Sequence, residues 1–259
     1  MIRGLYTAVS GLITQEAKQQ VITNNMANAN TTGYKTENLA VKKFDDVLIQ
    51  NYDKISGGKN VRNVIGSLSN GSKIDETLTD FTQGTLQSTE KDTDFALDGR
   101  GFFTVSGAAA DGTQGIYYTR DGAFHINNLG YLVNSTGNYV MGRNINTGAM
   151  EPIAVGNSKI TTDGNNNILL DGQLRYSFNI VDFENYNALE KVGDNLYRGE
   201  NPMESQATVK QYSLEKSNVN IINEMVNMMT VLRTYESNQK VVQSLDETLA
   251  KAVEIGIVR

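Results

Sequence analysis

The two ends of the chain carry amphipathic patterns that neither end can satisfy alone. From Ile221 onward, apolar residues recur at Ile221, Met225, Met228, Leu232, Tyr235, Val242, Leu249 and Val253, and only Gln239 and Asp246 interrupt the alternating four-three spacing. Such spacing lays an apolar seam along one helix face through about five heptads. At the other end Ile2, Leu5, Val9 and Leu12 keep the same spacing, Glu16, Gln19 and Thr23 break it, and Met26 returns to it. The first helix is expected from Ile2 to about Asn28 and the last from Ile221 to about Ile255, roughly 40 Å and 50 Å long at 1.5 Å per residue. Asn220 is placed to cap the last helix, Glu224 to sit in its first turn and Gly256 to stop it. An apolar seam of that length must be covered, so each helix needs a partner.

The sequence between the helices changes character twice. The stretch from Asn24 to Lys35 is loaded with Asn, Thr and Gly, side chains that bond their own backbone and favour helix ends and turns. An ordinary helix stop accounts for such a run taken alone. From Thr36 to about Glu90 a short apolar set at Phe44, Val47, Leu48 and Ile49 gives way to Ser56-Gly57-Gly58-Lys59-Asn60 and then to polar sequence. This reads as an extended connector, with strand candidates at Lys73 to Thr79 and Thr85 to Ser88.

From Asp94 onward, short apolar runs arrive with turn residues every eight to twelve positions, the spacing of an antiparallel β domain. Asp121-Gly122 separates the expected strands Ile116 to Thr119 and Phe124 to Ile126, and Asn127-Asn128-Leu129-Gly130 leads into Tyr131 to Val133. Further strands are expected at Tyr139 to Met141, Ile153 to Val155, Ile168 to Leu170 and Leu174 to Val181, with Pro152 and Pro202 outside them. After Tyr197 the chain reads as polar until Ser217. The fold class is therefore α+β: an amphipathic helix at each end of the sequence and a central antiparallel all-β domain (92–195). Residues 35–91 and 196–217 connect them.

Composition removes several function classes. A net charge of -6 with no Lys/Arg stripe gives no footprint for a phosphate backbone, so no nucleic acid is expected as a partner. The absence of cysteine excludes disulfides, thiolate catalysis and cysteine-ligated metals. No apolar run is long enough for a transmembrane helix, and Met1 to Gly11 takes on helical periodicity instead of a secretory signal pattern.

Catalytic motifs fail on inspection. The single histidine, His125, lies in an expected strand, and no G-x-S-x-G elbow accompanies it. Gly99-Arg100-Gly101 lacks the third glycine and following helix of a dinucleotide site. The runs at Asp92 and Asp163 lack the glycine and closing glutamate of a calcium loop, and they read as turns. No metal and no cofactor are expected. Met225, Met228 and Met229, with Met26, suit a helix-packing surface.

Four stretches together resemble the rod and hook family of axial proteins in the bacterial flagellum. Gly4 to Leu12 is similar to the family's N-terminal start, and Asn25 to Lys35 to its signature. Asp94 to Val105 resembles the segment opening its β domain, and Ser217 to Asn220 with Glu224 to Met228 and Arg233 to Glu236 its C-terminal signature. Chain length and the Asp94 to Val105 segment look most like the FlgG type, then the FlgF type, and not the much larger hook subunit.

The resemblance implies that the two ends (1–34 and 218–259) form one discontinuous N- and C-terminal helical coiled-coil domain, and that the chain is a structural subunit of the basal-body rod, in the distal rod or alternatively the proximal rod. There it polymerises into a tubular drive shaft that carries torque from motor to hook, with the β domain outermost. It also implies a place in the cell envelope outside the cytoplasmic membrane, reached by flagellar type III export without a Sec signal. The implied partners are identical subunits, other rod proteins and the hook, surrounding ring proteins and the export apparatus. An exported adhesin and a cell-wall glycan hydrolase are the rival readings from other classes.

Leu5, Val9, Leu12, Met26, Met225, Met228, Leu232, Val242 and Leu249 are the residues expected to pack helices in the assembly. Asn25, Asn28, Asn30, Thr31, Gly33 and Tyr34, with Ser217, Asn218 and Asn220, are expected to shape the junction between the helices and the outer domain.

Overall fold

A computed structural model describes residues 2–56, 59–108 and 112–257, with the side chains of 2, 3, 51–63 and 257 outside the description. Gly57 and Gly58 of the expected turn and the Ile2 side chain of the N-terminal seam therefore lie outside the described residues. The chain divides into two compact units. One combines residues 1–26, 37–78 and 221–259, and the other combines 27–36 and 79–220. The fold is α+β, with one long helix at each end of the sequence and a large antiparallel sheet between them.

The first unit holds helix α1 (Ile2–Ala27), 26 residues long, and helix α2 (Ile221–Ile257), 37 residues long. Gly256 lies inside the last turn of α2 and does not stop it, a correction to the sequence expectation. A single glycine in a terminal turn costs only about 1 kcal/mol relative to alanine. None of the described helices is long and apolar enough to cross a membrane. Strands Glu37–Lys43 and Ser72–Thr79 form a two-stranded sheet, and Val47–Ser56 pairs with Lys59–Leu68 as a separate antiparallel ribbon. Three of these four strands escaped the sequence reading. Many of their described side chains, among them Val47, Leu48, Val64 and Ile65, are exposed, so no alternation between a dry and a wet face marks them.

The second unit is built on Phe102–Ala108, which pairs with Gln114–Thr119, Tyr139–Asn144 and Ile180–Asp182. Gly101, just before this strand, has φ 151°, a backbone conformation that L side chains rarely adopt, and a Cβ there would collide with the Ser205 side chain. Phe95, Leu97, Phe103, Leu132, Val140 and Ile168 form the main cluster, in which Phe103 meets Phe124 edge-on at 5.3 Å and Phe178 at 5.6 Å. A smaller cluster of Phe102, Tyr118, Phe183 and Tyr197 packs around Phe81 and Tyr186.

Several expected strands shift. The strand expected at Ile153 to Val155 runs instead over Met150–Pro152, leaving Ile153 and Val155 buried beyond its end. Pro152 thus closes a strand, pairing with Met141 on the strand's one laddered side, where its missing N–H matters least. The stretch after Tyr197, read as merely polar, carries strands Met203–Glu204, Thr208–Gln211 and Ser213–Glu215. Ile160–Thr162 and Glu190–Gly193 were also missed, and they form the two ends of the main sheet path.

Side-chain amides extend this sheet where the ladder stops. Gln211 accepts the Thr162 N–H at 3.1 Å and donates to the Ile160 carbonyl at 3.0 Å. Asn166 accepts the Val209 N–H at 2.6 Å and donates to the Ala207 carbonyl at 2.8 Å. Each amide stands in for a strand residue, so backbone groups at a sheet margin are paired without a further strand.

Phe103→Ala is expected to lower stability by about 3–5 kcal/mol, the usual cost of emptying a buried aromatic site. Urea denaturation followed by tyrosine fluorescence measures it, and a loss under ~1 kcal/mol would mean that Phe103 is not central to this core.

Candidate assembly surface and junction

The Asn/Thr run after α1 is held by its backbone as much as by its side chains. Gly33 sits at φ 67°, and a Cβ there would lie 2.5 Å from the Asp121 nitrogen, so only glycine fits. The Gly33 N–H donates to the Glu215 carbonyl at 2.8 Å. On one side the Thr32 hydroxyl donates to the Asp121 carboxylate at 2.6 Å, and on the other Asn195 donates to the Thr32 carbonyl at 3.2 Å. Burial pushes the Asp121 carboxyl above its ordinary value, while hydrogen bonds from Thr32 and the Ala123 N–H pull it back. Tyr34 is buried, with the Lys191 ammonium 4.7 Å above its ring. Asn28 closes the preceding turn by accepting from Thr31 at its carbonyl and its side chain, and Asn30 is exposed.

Beside this run lies an ion cluster closed to solvent. One oxygen of the Glu215 carboxylate accepts from Lys35 at 2.5 Å and from the Gly84 N–H at 2.9 Å, and the other accepts from Arg120 at 3.3 Å. Lys35, Glu215 and Arg120 side chains are only 0%, 1% and 2% exposed. Lys35 also donates to the Thr82 carbonyl at 2.7 Å, and the Arg120 guanidinium lies 5.4 Å from the Phe102 ring centre. Burial lowers the Lys35 ammonium from its ordinary value, and the adjacent Glu215 works against that shift. Two cations share one carboxylate, so Glu215 is the indispensable member.

Asn218 ties the return of the chain to the same region. Its side-chain oxygen accepts from the Thr36 N–H at 2.8 Å and the Thr36 hydroxyl at 2.7 Å, while its nitrogen donates to the carbonyls of Asp80 and Thr82. Ser217 accepts from the Val219 N–H at 3.2 Å, and Asn220 stands immediately before α2. Lys35, Arg120, Asp121 and Glu215 were not among the expected junction residues. Asp121-Gly122 read as a hairpin turn, which the structure does not form, because Gln114–Thr119 pairs with Phe102–Ala108 and Leu196–Arg198 while His125–Ile126 pairs with Leu132–Val133; Glu215 lay in sequence taken as polar connector.

In the helical unit, the Asn25 amide donates to the Glu37 carbonyl at 2.8 Å and accepts the Glu37 N–H at 3.0 Å, fixing the first strand to the last turns of α1. A Cβ on Gly4 would touch Leu245 at 3.6 Å, and one on Gly11 would lie 2.9 Å from Asn238. The helices thus run antiparallel, each step of seven along α1 matched by a step of seven back along α2. Along α2 the more covered positions are Glu224, Met228, Val231, Tyr235, Asn238, Val242, Leu245 and Leu249. They share Met228, Tyr235, Val242 and Leu249 with the sequence-derived seam.

The alternate members of that seam point elsewhere. Met225 and Leu232 are 43% and 40% exposed, and with Ile222 and Met229 they form an apolar stripe spaced three, four and three. On α1, Leu5, Leu12 and Met26 are half-buried, whereas Val9 lies on an exposed stripe with Tyr6 and Ile13. Among the described side chains, Ala8, Thr14, Ile22, Asn25, Glu224 and Val231 are the buried helix residues, and apart from Asn25 none was expected to pack.

Known proteins match this chain in three blocks. Residues 5–35 match the flagella basal body rod protein family, 96–174 the flagellar hook protein FlgE/F/G D1 domain, and 210–255 the flagellar basal body rod FlgEFG protein C-terminal region. The middle block covers much of the β core, and the outer two take in α1, the Asn/Thr run, Asn218 and most of α2. These matches define a structural axial protein, and the chain belongs to the family of flagellar basal-body rod proteins.

FlgG of Buchnera aphidicola from Schizaphis graminum is 31% identical over 98% of this chain and 100% of its own length. FlgG of Bacillus subtilis is 32% identical over 98% and 99%, and FlgF of Caulobacter vibrioides 33% identical over 98% of each. The chain is a rod protein of the FlgG type, a structural subunit and not an enzyme.

Glu215→Leu is expected to destabilise the second unit by about 3–5 kcal/mol, because it leaves two buried cations without their anion. Lys35→Met, which leaves Glu215 paired with Arg120, should cost clearly less. Urea titrations of the two variants decide this, and the reverse order would displace Glu215 from the centre of the cluster.

Proposed function

We propose that this chain polymerises through its terminal helices into the tubular shaft of the flagellar rod, each α1–α2 pair being completed as a coiled coil by helices of neighbouring copies. The observation that carries this is the apolar stripe of Ile222, Met225, Met229 and Leu232, left open on the side of α2 turned away from its covered seam. A different stripe, Tyr6, Val9 and Ile13, is open on α1. Two unlike patches on one molecule favour a heterologous head-to-tail contact, and such contacts generate open helical polymers when the rotation does not close.

In this reading residues 1–34 and 218–259 form the assembly domain, 35–91 and 196–217 the connector, and 92–195 the outer domain. Leu5, Val9, Leu12, Met26, Met225, Met228, Leu232, Val242 and Leu249 carry helix packing. Asn25, Asn28, Asn30, Thr31, Gly33, Tyr34, Ser217, Asn218 and Asn220 shape the junction. Similarity to FlgG proteins supports the distal rod, and the FlgF relative supports the proximal rod as the second reading. The partners are identical subunits, other rod proteins and the hook, with ring proteins around the shaft. Delivery runs through the flagellar type III apparatus to the cell envelope.

A helix pair with an open apolar stripe gains its last burial only on assembly, so the terminal helices of the free subunit are loosely ordered and complete their folding in the polymer. Circular dichroism should record more helix per subunit in the polymer than in the monomer, and equal content would refute that coupling. Leu232→Asp is expected to abolish polymerisation while leaving urea unfolding of the second unit unchanged. Normal polymer growth by the variant would remove Leu232 from the interface.

A further inference from the structure

We propose that Asn70 is a site of spontaneous covalent modification, where the Gly71 backbone nitrogen converts it to aspartate or isoaspartate beside the docking point of α1. Asn70-Gly71 is the only Asn-Gly pair in the chain. It lies between strands Lys59–Leu68 and Ser72–Thr79, outside regular secondary structure, and Asn70 is exposed. Glycine has no Cβ to shield its amide nitrogen, so that nitrogen is the least hindered nucleophile a following residue can offer.

The chemistry needs only water. The Gly71 amide nitrogen, having given its proton to hydroxide, bonds to the side-chain carbonyl carbon of Asn70, and the carbon–nitrogen bond of the side-chain amide breaks to release ammonia. The resulting five-membered succinimide then takes up one water. Opening at the side-chain carbonyl restores the normal backbone with aspartate. Opening at the backbone carbonyl leaves isoaspartate, whose chain runs through the former side-chain methylene. Nothing is oxidised or reduced, and either product carries one more negative charge.

The fold keeps the labile pair in place. Gly71 has φ 114°, and a Cβ there would overlap the Ser10 hydroxyl and come within 3.4 Å of the Thr7 Cα, so the packing of α1 demands glycine. The contacts around it leave little slack. The Gly71 carbonyl accepts the Phe44 N–H at 3.0 Å, the Ser72 N–H donates to Ser10 at 3.3 Å, and the Ser72 hydroxyl lies 3.4 Å from that of Thr14. An added backbone methylene immediately before these contacts displaces them, so isoaspartate at position 70 loosens the hold on α1 between Thr7 and Thr14.

The test ages the full-length protein in mildly alkaline buffer at 37 °C and follows each asparagine by peptide mass analysis, with an isoaspartate methyltransferase assay for the rearranged product. Asn70 should convert several-fold faster than Asn128, which is exposed without a following glycine, and Asn70→Gln should remove the fast methyl-accepting product. The aged form, separated by its extra charge, should show faster hydrogen exchange across Thr7 to Thr14 than fresh protein or aged Asn70→Gln. Conversion of Asn70 no faster than Asn128 would overturn the site, and unchanged exchange in fully converted protein would overturn its effect on α1.

Discussion

The carboxylate of Glu215 is the point on which the second unit depends. Taken out of water, it must be compensated by charge and hydrogen bonds, and the chain supplies these from three distant places. Lys35 comes from the run after α1, Gly84 from the approach to the β domain and Arg120 from just past strand Gln114–Thr119, while the Glu215 backbone carbonyl accepts the Gly33 N–H. Because a buried ion cluster is costly to desolvate, it fixes how these segments meet more than it adds net stability.

The neutral amides follow the same logic at lower cost. Asn25, Asn166, Gln211 and Asn218 each present both a donor and an acceptor to backbone groups of a separate segment. Each therefore fixes a register as a strand would, without the length of chain that a strand requires. An Asn-rich composition, which in sequence looks like a set of turns, is here also a set of joints. The abundance of such joints suits a protein whose role is mechanical and whose working parts are surfaces.

Legibility in the sequence followed burial. The strands at Phe102, Tyr139 and Ile168 announced themselves because their residues enter a dry core, whereas Val47–Ser56 and Lys59–Leu68 pair only with each other and left no alternation to read. Pro152 was kept outside the strands by a rule that holds for central positions, and it sits instead at the end of a strand laddered on one side. The heptad reading of α2 found the right helix and half of its covered face. The other half is Glu224, Val231, Asn238 and Leu245, where two polar residues break the apolar pattern, while Met225 and Leu232 face outward. The buried cluster was invisible for a related reason: Arg120 and Glu215 look like surface charges until the fold closes over them.

The antiparallel register of α1 and α2 joins the first residues of the chain to nearly the last, Gly4 lying beside Leu245. Contacts so remote in sequence are the slowest to close. During synthesis the ribosome completes the whole β domain before the second helix exists, so α1 spends almost the entire time of translation with its facing helix unmade. The order of manufacture itself therefore delays formation of the sticky part until the codons of α2 are read.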